Sequence, residues 1–174
     1  MTDLNRLNSS NLDAVKSDGT ATLANRDGAA STFGVTFSSG TTYYFPLGSQ
    51  RSPVPAETPL VAAHLRWDSS IIATITIEDS CFPRTTSPAN DNGPTDVSDF
   101  DATAGNWLQE NPSSAVVAVT GGTATGATVS VAGGSTGGCI FHLGNLGSRR
   151  VRIKVVVAGT GGKIRCAVHG KAAA

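Results

Sequence analysis

Short runs of alternating apolar and polar residues follow one another along most of the chain. From residue 33 onward the runs are rich in β-branched and aromatic residues and end at Gly, Pro, Asn or Ser. Runs of this kind, with turn residues between them, are typical of the strands of a sandwich or barrel. The pattern predicts nine strands, at 33–37, 41–47, 60–67, 71–78, 115–120, 127–132, 138–143, 149–157 and 163–169. We therefore expect an all-β protein, a two-sheet antiparallel β-sandwich.

Alternation also assigns side chains to the core. Side chains two residues apart in a strand share a face. In the strands at 60–67 and 71–78 the apolar positions fall on one face each: Val61, Ala63, Leu65 and Trp67, and Ile71, Ala73, Ile75 and Ile77. We expect these two faces to meet in the core.

The strands at 149–157 and 163–169 are separated by a short loop that contains glycine. This spacing predicts a β-hairpin in which Val155 lies opposite Ile164. The outer face of the hairpin would then carry a row of bases: Arg150, Arg152, Lys154 and Arg165. Like charges opposite each other are mildly destabilising. We expect a negative surface to compensate them, either the acidic loop of a neighbouring copy, an acidic partner, or salt.

Residues 1–32 are polar, with widely spaced apolar residues. They are predicted to form an extended N-terminal arm, followed by a sandwich domain at 33–174. Because so polar a segment cannot build its own core, we expect it to clamp neighbouring subunits or to pack on its own body. The candidate anchor residues are Leu4, Leu7, Leu12, Val15 and Leu23.

The chain has 174 residues, the size of one domain. Its 13 Lys and Arg residues balance its 13 Asp and Glu residues, so its overall charge favours neither nucleic acid nor a membrane as a partner. All 13 acids lie in residues 1–110, whereas residues 111–174 contain bases alone. Complementary regions of this kind can join copies head to tail and close into a ring. We therefore expect a homo-oligomer, a trimer in the first instance.

The N-terminus is polar and no stretch is apolar enough to span a membrane. We expect a soluble protein made in the cytoplasm. The three cysteines, Cys81, Cys139 and Cys166, follow no metal-binding or disulfide spacing and are predicted to be buried thiols. The glycine-rich stretches at 121–126 and 133–138 are predicted to be hairpin turns.

The segment at 79–114 is long for a connection and contains several Asp residues. Its spacing matches no known calcium loop, so we interpret the carboxylates as turn and cap residues and expect no metal or other cofactor. Trp107 is a candidate contact for a sugar ring or another subunit, or a packing anchor. The three histidines accompany no recognisable nucleophile, metal motif or phosphate loop. We therefore expect a non-enzymatic protein.

Four stretches, at 64–83, 95–112, 142–157 and 161–171, resemble small β-sandwich structural proteins of tailed bacteriophages. In size and composition the chain is most similar to capsid decoration (cement) proteins. The resemblance implies a jelly-roll-like body with a polar arm, commonly trimeric, that binds the major capsid protein on the outer head surface of the virion. Two alternatives remain open. One is a phage tail, neck or spike component; the other is a carbohydrate-binding module that uses Trp107, Trp67 or the Tyr43–Tyr44 pair.

Overall fold

The computed structural model describes residues 8–12, 14–17, 22–23, 35–47, 60–80, 108–109, 116–144 and 150–171. All regular structure in these ranges is β. The strands are β1 Asn8–Asn11, β2 Ala14–Lys16, β3 Thr22–Leu23, β4 Val35–Phe37, β5 Thr42–Leu47, β6 Leu60–Trp67, β7 Ala73–Ser80, β8 Leu108–Gln109, β9 Val116–Thr120, β10 Thr123–Thr125, β11 Thr128–Val131, β12 Gly137–Gly144, β13 Arg150–Val157 and β14 Gly162–Lys171. Within this part of the chain there is no helix long and apolar enough to cross a membrane.

These strands form two antiparallel sheets. The front sheet has six strands in the order β1-β14-β6-β12-β9, with β4 also paired to β14. The back sheet has eight, in the order β10-β11-β7-β13-β5-β2-β3, with β8 also paired to β7. The predicted two-sheet sandwich is therefore confirmed.

Eight of the strands, four in each sheet, follow the order of a jelly roll. In the front sheet β4, β14, β6 and β12 are neighbours, and in the back sheet β5, β13, β7 and β11 are neighbours. From β4 to β7, and again from β11 to β14, each strand lies in the sheet opposite to that of its predecessor. This is the arrangement of two Greek keys that defines the jelly roll.

The core lies between the two sheets and is built from the inward positions of the strands. Ala63, Leu65 and Trp67 of β6 are fully buried and face Ile75 and Ile77 of β7 from the other sheet. The predicted meeting of these two faces is confirmed. Val151, Ile153 and Val155 of β13 and Ile164, Cys166 and Val168 of β14 are also buried, as alternation predicts.

The predicted hairpin of the last two strands is wrong. Strand β13 pairs with β5 and β7 in the back sheet, whereas β14 pairs with β1, β4 and β6 in the front sheet. Val155 therefore lies opposite Ile75 and Tyr43, and Ile164 lies opposite Trp67 and Val35. The short loop between β13 and β14 crosses from one sheet to the other. Both arrangements bury the same side chains, so alternation alone could not distinguish them.

Hairpin turns were predicted in the glycine-rich stretches at 121–126 and 133–138. The prediction is correct for the turn between β10 and β11. Gly126 has φ +58° in the two-residue turn that joins β10 to β11, where Thr125 lies opposite Thr128. A positive φ costs glycine little, which suits this turn. Residues 121–122 and 132–136 instead connect strands of different sheets.

The described part of the N-terminal segment belongs to the sandwich. Strand β1 pairs with β14 at the edge of the front sheet, and β2 pairs with β5 in the back sheet. Between them the Leu12 N–H donates to the Cys166 carbonyl oxygen at 2.9 Å. Leu12 and Ala14 are buried in the core. The described residues of β1, Leu12 and β2 therefore pack on the chain's own body, one of the two arrangements expected, as a strap that joins the two sheets. Leu12 is accordingly a core residue.

Candidate functional site

The structure separates the bases that the hairpin prediction placed in one row. Arg152 and Lys154 lie in β13 of the back sheet, while Arg165 lies in β14 of the front sheet. Because their strands belong to opposite layers, these residues form no common face. Arg150 begins β13, and Val15 and Leu23 lie in β2 and β3, but their side chains are outside the described part. Leu4, Leu7 and Trp107 lie outside the described residues altogether.

The two bases of β13 are compensated by an acid of the same chain. Glu78 of β7 lies opposite Arg152. The Arg152 Nε–H donates to Glu78 Oε2 at 2.8 Å, and the Lys154 Nζ donates to Glu78 Oε1 at 2.9 Å. Arg152 is 2% exposed, and its Cζ atom lies 4.0 Å from the centroid of the Tyr44 ring. Part of the expected negative charge is thus Glu78 on the neighbouring strand β7. The hairpin prediction had placed β14 beside β13 and therefore did not include this contact.

The outer face of the front sheet has a different character. His64, His142 and His169, the three histidines of the chain, are all exposed there, as alternation along β6, β12 and β14 requires. Arg66 lies opposite Arg165 on the same face, and Lys163 precedes Arg165 by two residues in β14. Asp68, an acid, follows β6 directly at the end of this face. The front sheet is therefore the more cationic of the two outer faces.

A cleft of about 760 Å³ opens on this face, where β6 and β9 end and β12 and β14 begin. Gly138 forms part of its floor, between Arg66 of β6 on one side and Thr120 of β9 on the other. A Cβ atom at Gly138 would come within 2.6 Å of the Leu65 carbonyl oxygen, and it would stand 3.4 Å from Arg66 Cγ and 3.5 Å from His64 Nε2. The floor is therefore closely packed at this point, and glycine is the residue that fits there.

The two sides of the cleft differ in chemistry. Arg66, His64 and Lys163 lie on the side of β6 and β14. Thr120 and Ile140 lie on the side of β9 and β12, and Thr136 completes the wall at the end of the sheet. One side thus offers the cationic donors of Arg66 and Lys163 and an imidazole, and the other offers hydroxyl and apolar groups.

The carboxylate of Asp68 holds the end of the cleft in place. Its Oδ1 accepts the Ser70 N–H at 3.0 Å, and its Oδ2 accepts the Lys163 N–H at 2.9 Å. The Asp68 N–H in turn donates to the Lys163 carbonyl oxygen at 3.1 Å. Both carboxylate oxygens therefore serve the backbone, which fixes the start of β14 beside β6.

Trp67 lies under the floor of the cleft. It is fully buried, and a Cβ atom at Gly137 would come within 2.7 Å of its Nε1. Only glycine allows β12 to approach the indole this closely. The Trp67 Nε1–H is buried and has no hydrogen-bond partner in the part of the protein that the structure describes. An unpaired buried donor is costly, so this N–H is available to an acceptor that reaches it.

The cysteines of the front sheet take no part in such chemistry. Cys139 and Cys166 are buried thiols outside any disulfide, as predicted, whereas Cys81 lies outside the described residues. Burial raises the pKa of Cys139 to about 12 and the pKa of Cys166 well above its usual value. Both residues lie opposite Leu65 on its two sides. They are two strands apart, roughly 9.6 Å, which is too far for a disulfide.

Within the ranges that the structure describes, no three His, Cys, Asp or Glu residues are grouped so that they could hold a metal ion. The cleft was not found from the sequence, because its residues come from four strands and two connections. The adjacent glycines at 137–138 could have indicated a strand without side chains on either face, but the sequence pattern favoured a turn there. Comparison of the chain with protein-family models, with curated proteins and with solved structures found no match.

Proposed function

We propose that the protein is a non-enzymatic structural protein of a tailed-bacteriophage virion, a capsid decoration protein that binds the major capsid protein on the outer head surface. The observation that carries the proposal is the jelly-roll order of the strands, a layout used by viral capsid domains. The stretches that resemble phage sandwich proteins supply β6, β7, β13 and β14, the central strands of the two sheets.

The front sheet offers a surface for docking. Its outer face carries Arg66, Lys163 and Arg165 together with the exposed histidines. Complementary charge steers association and fixes the register of an interface. We assign this face to the contact with an acidic surface of the shell, because Arg66, Lys163 and Arg165 lie together on it.

Binding to purified particles tests the proposal directly. The protein is mixed with undecorated heads and, separately, with isolated tails, and the bound fraction is measured by co-sedimentation. Saturable binding to heads, with greater resistance of the heads to heat or chelator, supports a decoration protein. Binding to tails alone would instead identify a tail, neck or spike component. The variant Arg165→Gln should weaken head binding, whereas Lys154→Gln on the back sheet is the matched control.

We further propose that the protein acts as a homotrimer. A rotation that joins cationic and acidic regions of successive copies closes into a ring, and three linked copies raise the effective concentration at the shell. Multi-angle light scattering at low and high salt measures the mass. A trimer that loosens at high salt is expected, since exposed charges are screened there. A monomer under both conditions would contradict this part of the proposal.

The carbohydrate-binding alternative has less support from the structure. Of the aromatic residues that could form a stacking platform, Trp67, Tyr43 and Tyr44 are buried, and Trp107 lies outside the described residues. Stacking on a sugar ring requires an exposed aromatic face. A glycan array, with Trp107→Ala as the comparison, would show whether such binding exists.

A further inference from the structure

The cleft on the front sheet has the size and the lining of a small-ligand site. Its volume of about 760 Å³ lies within the range of roughly 300–1,000 Å³ in which proteins bind small molecules. Such sites combine apolar lining with a few convergent polar groups. Here Ile140 and Val119 supply the apolar part, and Arg66, Lys163 and Thr120 supply polar groups.

The charge balance of the cleft favours an anion. Arg66 and Lys163 line it, and Asp68 is the one acid among its lining residues. Both oxygens of Asp68 already accept backbone N–H groups, so this carboxylate is held back against the start of β14. A guanidinium and an ammonium group form strong charge-assisted hydrogen bonds with carboxylate and phosphate. The side of the cleft formed by β6 and β14 therefore suits an anionic group.

The opposite side suits a small organic body. It is formed by Thr120, Thr136 and Ile140, a mixture of hydroxyl and apolar groups. Gly138 lies between the two sides, paired with Arg66 of β6 and with Thr120 of β9, and it adds no side chain to the floor. A bare inorganic ion would leave most of this volume unfilled.

We propose that this cleft binds a compact organic anion, with one carboxylate or phosphate group held by Arg66 and Lys163 and a body of about monosaccharide size against Thr120, Thr136 and Ile140. This inference goes beyond the decoration role and does not rest on it. It concerns a site on each copy of the chain that functions without a virion.

Trp67 provides the means to test the proposal. The chain has two tryptophans, so Trp107→Phe leaves Trp67 as the single indole. Because Trp67 lies under Gly137 at the floor of the cleft, a bound ligand should change its fluorescence. The purified Trp107→Phe protein is titrated with glucuronate, glucose 6-phosphate, glucose and inorganic phosphate, and calorimetry repeats each titration with the unaltered chain.

We expect saturable changes with at least one of the two sugar anions and binding of glucose weaker by about tenfold or more, the worth of a charge-assisted hydrogen bond. Arg66→Gln should weaken the binding of that sugar anion to a similar extent. Lys163→Gln is a second variant in case the first alters folding, which circular dichroism checks. Arg165→Gln, opposite Arg66 on the same face but outside the lining, is the matched control and should leave the affinity unchanged.

Four results would overturn the proposal. The first is the absence of any saturable change with both sugar anions. The second is binding of glucose as tight as that of the sugar anion that binds better, which would exclude an anion site. The third is an equal loss in Arg66→Gln and Arg165→Gln, which would indicate diffuse attraction to the face. The fourth is binding of inorganic phosphate as tight as that of the sugar anion that binds better, which would show that the body contributes nothing. Since the assay contains no heads, none of these results bears on the decoration role.

Discussion

Glu78 is the residue on which the outer face of the back sheet depends. Its side chain is 10% exposed and compensates Arg152, which is 2% exposed, and Lys154, which is 31% exposed. Removing one partner of a buried ion pair leaves the other charge poorly solvated, so Glu78→Ala should lower the free energy of unfolding by about 3–5 kcal/mol. Urea denaturation measures the change. Lys154→Met is the control, with an expected cost below about 1 kcal/mol because a more exposed pair is screened by solvent. Equal costs would contradict this account.

A second prediction for single residues concerns the reactivity of the two buried thiols, Cys139 and Cys166. Because burial raises the pKa of Cys139 to about 12 and that of Cys166 well above its usual value, neither forms a thiolate near neutral pH in the folded protein. Thiolates are the reactive species in alkylation. In a Cys81→Ser background, iodoacetamide at pH 8 should leave the folded chain unmodified and label both residues in denaturant, as mass spectrometry would show. Rapid labelling of the folded chain would mean that this sheet opens.

The same thiols predict how the free energy of unfolding changes with pH in the alkaline range. A thiol in the unfolded chain ionises near pH 9.0, while burial raises the pKa of Cys139 in the folded chain to about 12. The folded state therefore binds more protons between these values, and its stability falls as the pH rises through that interval. Cys139→Ala should reduce the slope of the unfolding free energy against pH above about pH 9. An unchanged slope would show that this thiol does not contribute.

At the scale of elements, the strands could be predicted far better than their partners. The runs at 60–67 and 149–157 differ from β6 and β13 by at most one residue, because period-two alternation is a local signal. The partner of β13 could not be predicted in this way, since inward and outward positions are the same in a hairpin and in a crossing between sheets. Strands β1 to β3 were missed for a related reason: they have two to four residues each, and β1 and β2 are held by β14 and β5, which lie further along the chain.

Engineered disulfides distinguish the two pairings of β13. In the jelly roll Val156 lies opposite Thr74 of β7, whereas the hairpin would have placed it opposite Lys163. Opposite residues of antiparallel strands have Cα atoms roughly 4.5–5.5 Å apart, within reach of a disulfide, while facing sheets are about 10 Å apart. In a Cys81→Ser background, Val156→Cys with Thr74→Cys should therefore oxidise readily. Val156→Cys with Lys163→Cys is the matched pair and should stay reduced, as thiol titration would show; the reverse result would support the hairpin.

At the scale of the whole molecule, the sandwich could be predicted from composition and alternation, but the cleft could not. The cleft needs Arg66, Gly138 and Thr120 side by side, and these residues are brought together by the pairing of β6, β12 and β9. The spacing of these residues along the chain does not indicate that they lie side by side. Nor could the sequence show which part of the N-terminal segment packs on the body, because a polar segment contributes buried residues such as Leu12 and Ala14 only where edges of the two sheets receive it.

The N-terminal strap is the last feature that can be tested, and it bears on the stability of the whole sandwich. A chain that lacks residues 1–17 loses the burial of Leu12 and Ala14 and the pairing of β1 and β2 with both sheets. Its free energy of unfolding should fall by at least about 2 kcal/mol, the value of one large buried apolar side chain. The exposed edge of β14 should also promote association, which light scattering detects. A chain that begins at Asn8 is the control because it keeps every described contact, and the full chain with Leu12→Ser isolates the core contribution. If the chain without residues 1–17 has the same unfolding midpoint as the control, the segment is a dispensable arm after all. If the midpoint falls, a loss of head binding on truncation has two candidate causes, the absence of the strap and damage to the sandwich. The Leu12→Ser chain keeps the strap but loses its core contribution, so head binding by this variant separates the two causes.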